Sequence, residues 1–188
     1  TTVIQGLPGL SNKVIFNTTG VAGASQAVSV DGPVFSGGLV FNNAAGSPAI
    51  TSITLSPGTY GDNSANGTLT LTPAASTDGI NVQAGAPAAI TISTGIFLGA
   101  NQTWTVADVG TTLTASGQVS GSFGLTKDGA GTLTLSSTVY STYRGPTVVK
   151  AGTLKAGAAA VTSWFSAVDL PAGATLSTNG ADQYLASL

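Results

Sequence analysis

Threonine and leucine, or residues like them, alternate along this chain in short bursts: Thr68-Leu69-Thr70-Leu71, Ala89-Ile90-Thr91-Ile92, Thr112-Leu113-Thr114-Ala115 and Thr132-Leu133-Thr134-Leu135. An apolar residue at every second position, closed by Gly, Pro or Ser, is the pattern of a strand with one buried face. The bursts return at Thr153-Leu154 and Thr175-Leu176, a step of about 20 to 23 residues. Such a step marks a solenoid, in which each coil contributes two or three short strands and buries its apolar side chains against the coils above and below. The pattern predicts an all-β chain folded as a right-handed parallel β-helix (β-solenoid), with Leu69, Ile90, Leu113, Leu133, Leu154 and Leu176 in one apolar ladder. Roughly nine coils at ~4.8 Å per rung make a rod of about 40 Å.

Gly124, Gly129, Gly131, Gly152 and Gly157 punctuate the strands, and Asp128-Gly129 and Asn179-Gly180 are tight-turn dipeptides. The segment Ser137 to Pro146 is longer than a turn needs, so it is expected to leave the coil as an excursion carrying Tyr140, Tyr143 and Arg144. Residues 1–60 show the period weakly and are expected to be less regular N-terminal coils or a cap. Within them, Gly37 to Asn43 and Ile50 to Gly58 still look like strands. Residues 61–188 form the solenoid proper.

Composition supports this reading. Charged residues make up 6% of the 188, against roughly 25% in an average soluble domain, and all seven acids are Asp. The outward positions are therefore Thr, Ser, Asn and Gly, which suit strands and turns rather than helix faces. Stacked like charges would repel at the rung spacing, which gives the missing Glu and Lys a physical reason. A net charge of −2 with scattered Lys and Arg leaves no footprint for nucleic acid. The longest charge-free stretch, Asp31 to Asp62, is broken by Pro and Gly and cannot be a membrane-spanning helix.

The stretch from Leu125 onward resembles the passenger-associated (autotransporter-associated) β-strand repeat of bacterial surface proteins. The resemblance lies in Leu125-Thr126-Lys127, then Gly129-Ala130-Gly131-Thr132-Leu133-Thr134-Leu135-Ser136, then Tyr143, Gly145, Thr147-Val148-Val149 and Ala151-Gly152-Thr153-Leu154. Residues 101–188 agree best, whereas the first hundred agree only in style. The family's usual Asn-Thr-Tyr-Thr-Gly-Gly turn is replaced by Ser141-Thr142-Tyr143-Arg144-Gly145-Pro146. No translocator barrel follows, so a passenger segment or a free-standing relative is expected. The resemblance implies a parallel β-helix on or outside a bacterial cell, serving as an extended scaffold that can be secreted. It brings no catalytic residues, and the absence of Cys suits passage in an unfolded state.

With neither His nor Cys, the usual nucleophilic triads are excluded. Carboxylate catalysis on sugar polymers by Asp62, Asp78, Asp108, Asp128, Lys127 or Arg144 is the alternative, and a groove where two of them converge would mark it. Asp62, Asp78 and Asp128 stand in turn contexts, where Asp caps its own backbone. The calcium-binding nonapeptide and the phosphate loop are both missing, so no cofactor or metal is expected. Trp104, Trp164, Phe165, Tyr140, Tyr143 and Tyr184 offer a carbohydrate-stacking or adhesive surface, but Trp104 and Phe165 read first as core or end-capping residues. Tyr140, Tyr143 and Arg144 are the candidate surface-binding residues, for a glycan or a protein. The Asn-x-Thr triplets at Asn17, Asn66 and Asn101 are expected by chance in so Thr-rich a chain.

The functional expectation is a secreted or surface-displayed structural solenoid that is not an enzyme. It would be scaffold or adhesive, and self-assembling into a filament or sheath, since few charges oppose stacking and open solenoid ends offer strand edges. A carbohydrate-active β-helix and a passive spacer are the rival readings.

Overall fold

A strand that alternates Thr with Leu has one face for water and one for a core, and a chain of such strands buries every apolar face by winding around a shared interior. In the computed structural model, described for residues 2–5, 12–18, 23–43, 50–60, 64–65, 67–157, 163, 166–178 and 180, that is the architecture. Among these residues there is no helix, and the strands form three parallel walls. The first wall stacks Thr2–Gln5, Ser25–Asp31, Ser52–Pro57, Ala89–Ile92, Thr112–Ala115, Thr132–Leu135, Thr153–Ala156 and Thr175–Ser177. The second stacks Lys13–Thr18, Gly38–Asn43, Asp78–Val82, Gln102–Val106, Leu125–Asp128, Thr147–Val149 and Val168–Asp169. The third stacks Pro33–Ser36, Thr68–Leu71, Gly95–Leu98 and Val119–Gly121. From Asp78 to Asp128 the chain visits second, first and third wall in rotation. The protein is a parallel β-solenoid.

From Ala89 onward the coil length is that of the sequence period. Ala89 lies beside Thr112, Thr112 beside Thr132, Thr132 beside Thr153 and Thr153 beside Thr175, steps of 23, 20, 21 and 22 residues. Earlier coils are longer: 26 residues from Thr2 to Val28, 27 from Ser25 to Ser52 and 37 from Ser52 to Ala89. Among the described residues the first wall has eight levels, and the longer early coils lower that number from the nine a uniform period predicts.

The longest coil also corrects the ladder. Ile53, Ile90, Leu113, Leu133, Leu154 and Leu176 are in register, but Leu69 is not among them. Leu69 stands in the third wall between Val34 and Ile96. That coil carries an extra antiparallel pair, Thr59–Tyr60 with Ser64–Ala65, which lengthens the link between its first-wall and third-wall strands, so that a third-wall Thr-Leu burst falls one sequence period before Ile90. The spacing from Leu69 to Ile90 therefore spans two walls rather than one full coil.

The interior is one continuous core. Ile53, Leu55, Leu69, Leu71, Ile80, Ile90, Ile92, Leu113, Leu133 and Leu154 are buried, and Trp104 lies among them with no exposed surface. Near the N-terminal end, Phe16 stacks on Phe41 with ring centroids 4.7 Å apart. The repeated Gly-Thr-Leu has a steric cause at Gly152, whose φ is +68° and whose Cβ, were there one, would lie 2.4 Å from the Gly129 carbonyl oxygen below it. Two chains can cross that closely only without a side chain.

Leu133 is buried between Leu113 and Leu154, so Leu133→Ala should remove about 2–5 kcal/mol of unfolding free energy through the cavity it leaves. Thr134→Val, on the outward side of the same strand, should change it by less than about 0.5 kcal/mol. Chemical denaturation of the two variants checks the assignment of faces, and equal costs would contradict it.

Candidate functional site

Two polar devices sit inside the coil between residues 125 and 157, where a solenoid would ordinarily place only apolar side chains. The first is Lys127. Alternation in Leu125–Asp128 turns it inward, and register puts it between Trp104 and Val149 with no exposed surface. Its ammonium donates to the carbonyl oxygens of Asp128 at 2.7 Å, Gly129 at 2.7 Å and Ala151 at 3.1 Å. All three protons are used, and the third bond ties one coil to the next. Burial pushes its pKa down from 10.5 to about 8, partly opposed by the Asp128 carboxylate. One coil below, Trp104 donates its indole proton to Gln102 Oε1 at 2.9 Å, so that ring nitrogen is satisfied as well.

The second device is Tyr143, and it corrects the expectation of a surface residue. Tyr143 is fully buried, its hydroxyl 2.7 Å from Thr147 Oγ1, which in turn lies 2.7 Å from Ser166 Oγ. Ser163 Oγ donates to the Tyr143 carbonyl. Burial raises the phenol's pKa, so it stays protonated at neutral pH. The second half of the expected excursion is therefore wall. Thr142 N donates to the Val119 carbonyl and Arg144 N to that of Gly121, which lays residues 141–145 over the last strand of the third wall. Ser141 and Tyr143 face in, and Thr142 and Arg144 face out.

Tyr140 and Arg144 are exposed, as expected of surface candidates, and Tyr140 shows 56% of its area. Among the described residues the acids do not come together. Asp108 Oδ2 accepts from Gly85 N at 2.7 Å, and Asp128 pairs with Lys150 at 2.6 Å. That hydrogen bond holds the Asp128 carboxyl below the usual carboxylate range and raises Lys150. Asp78 lines a polar groove of about 220 Å³ with Ser76, Thr77, Asn101, Gln102, Thr103 and Thr126, where no second acid joins it. Arg144 is on another wall. Among the described residues no three acids, His or Cys gather in a way that could hold a metal ion. Asp62, Asn66, Trp164, Phe165, Asn179 and Tyr184 lie outside the described residues.

Comparison with known proteins agrees with this geometry. Residues 125–156 match a family described as the passenger-associated-transport-repeat. The chain carries that repeat. Leu125–Asp128 and Thr147–Val149 are its second-wall strands, Thr132–Leu135 and Thr153–Ala156 its first-wall strands, with residues 141–145 between. The repeat thus spans a coil and a half, which is why Gly-Thr-Leu occurs twice. A similar protein is the adhesin BmaC autotransporter of Brucella suis biovar 1 (strain 1330), 45% identical over 84 residues. Those residues are 44% of this chain and span only 2% of that relative's length. No solved structure matches.

The outward aromatics of the third wall were missed by sequence reasoning. Phe35 and Phe97 are 44% and 46% exposed. They stand in Pro-Val-Phe-Ser and Gly-Ile-Phe-Leu, where consecutive apolar residues hide which side faces out. The neighbouring Thr70, in register with both, was the available signal.

Lys127→Met leaves three carbonyls without their donor and should destabilise the coil by about 1–3 kcal/mol at pH 7. Between pH 8 and 10 an unfolded lysine holds its proton while the folded Lys127 sheds it, so stability should rise with pH by at most about 1.4 kcal/mol per unit. Denaturation midpoints across that range should climb in the parent chain and flatten in Lys127→Met. A parallel slope in both would show that Lys127 is not the titrating group.

Proposed function

We propose that this chain is a structural segment of a bacterial surface passenger, a stiff scaffold exposed outside the cell. The supporting observation is the coil and a half matching the passenger-associated-transport-repeat, set in a continuous parallel core. Each coil bonds to its neighbour through backbone pairing and through internal clips such as Lys127 with Ala151. No disulfide is needed, since the chain has no Cys, and its outer faces are largely hydroxyl. The adhesin relative favours a scaffold that also makes contacts over a passive spacer. The expected outcome of fusing the full chain to an outer-membrane translocator barrel is folded display, read as an N-terminal epitope accessible on intact cells and a β-solenoid core resistant to added protease. Retention in the periplasm would overturn the reading.

Assembly of copies is a second reading, favoured by the end of the first wall. Thr175–Ser177 pairs with Thr153–Ala156 on one side, and among the described residues no strand covers its other edge. With 6% charged residues, little opposes stacking of a further strand there. Electron microscopy of the purified chain at rising concentration should show rods lengthening end to end. Rods that stay one molecule long would confine the role to a segment within a single passenger.

A further inference from the structure

The outer face of the third wall carries two half-exposed aromatic rings. Register lines up Phe35, Thr70, Phe97 and Ser120 on successive rungs, all pointing outward. Beside Phe97 is a groove of about 250 Å³ lined by Thr68, Thr70, Gly95, Ile96, Phe97, Gln118 and Ser120, none of them charged. Gly95 lines it beside Phe97. Unlike Gly152, Gly95 has no steric reason to be glycine: its backbone is ordinary strand, and an added Cβ would meet nothing nearer than the Gln118 carbonyl oxygen at 3.9 Å. A glycine weakens a strand and often marks a bulge, a tight bend, or a place where a ligand or another backbone comes close; Gly95 opens its strand without a positive φ. What it provides here is open space next to a half-exposed ring.

We propose that this groove binds an uncharged oligosaccharide, one pyranose ring lying over Gly95 against Phe97 and a neighbouring ring reaching Phe35. A pyranose offers apolar C–H faces and a rim of hydroxyls. The ladder offers the complement, aromatic surface alternating with Thr and Ser hydroxyls. Gln118 adds an amide, fixed at the rim where its Nε2 donates to the Tyr140 carbonyl at 2.8 Å. Phe35 and Phe97 are two rungs apart, about 10 Å, roughly the reach of two linked sugar rings. None of the residues that line the groove is charged, which favours a neutral glycan over a sialylated or sulfated one, although Arg144 faces outward further along the same wall.

The test is calorimetric titration of the purified full chain with linear hexasaccharides of glucose, mannose, galactose and N-acetylglucosamine, and with a sialylated oligosaccharide as the charged control. At least one neutral hexasaccharide should bind. Gly95→Thr, which fills the groove, and Phe97→Ala, which removes the platform, should each weaken it by about tenfold or more. Gly95→Thr should unfold at the same or higher denaturant than the parent, because threonine suits a strand better than glycine. That separates lost binding from lost fold. The proposal fails if no neutral hexasaccharide binds, if only the sialylated control binds, or if binding survives Gly95→Thr. It fails equally if Phe97→Ala changes only self-association of the chain. The measurement is made in solution, so it is independent of whether the chain is displayed on cells.

Discussion

In-register stacking of parallel strands about 4.8 Å apart governs this molecule. Every side chain has a counterpart directly above and below, so each position is chosen for what it does beside its own kind. Inward, that favours Ile and Leu, as in Ile53, Ile90, Leu113, Leu133 and Leu154. Outward, it favours Thr, as in Thr54, Thr91, Thr114 and Thr134, and that ladder admits a charge only at Lys155. Where charges do meet across rungs they are opposite, Asp128 with Lys150. The low charge of the stacked walls as a whole follows from the geometry.

The same constraint explains why polar groups inside the coil occur as clips rather than ladders. A buried ammonium repeated on every rung would face its own copies, but a single Lys127 has carbonyl oxygens in its own coil and the next to satisfy it. Tyr143, Thr147 and Ser166 form a comparable buried chain of hydroxyls. Both devices join neighbouring coils, Lys127 through the Ala151 carbonyl and Thr147 through the Ser166 hydroxyl. They add directional bonds to a core whose apolar contacts alone would tolerate slippage by one coil.

Legibility of the sequence tracks this geometry. Leu113, Leu133 and Leu154 could be read correctly because nothing interrupts the period between Ala89 and Ser177, whereas Leu69 could not, since the hairpin after Pro57 shifts the phase without altering the local Thr-Leu pattern. Tyr143 was misread for a related reason. Ser141-Thr142-Tyr143-Arg144 alternates inward and outward like any strand, but its polar composition resembles a loop, and only the hydrogen bonds to Val119 and Gly121 show it to be wall. Lys127 was visible as part of the repeat, yet its burial was not, because a lysine at an inward position is legible only once the carbonyls that receive it are placed. The match to the repeat family was legible throughout, because its glycines and leucines are set by stacking.

Function is written on the other side of the same strands, where stacking imposes least. An inward leucine answers to its neighbours on adjacent rungs, but an outward residue in a wall this low in charge can change without cost to the core. Conspicuous departures from Thr and Ser on the outer faces therefore carry more functional information than the repeat does. Phe97 beside an unnecessary Gly95 is such a departure, because each choice alone weakens either solubility or strand stability and neither improves the packing within. A groove that the fold does not require, kept uncharged and rimmed with hydroxyls, is best understood by what enters it.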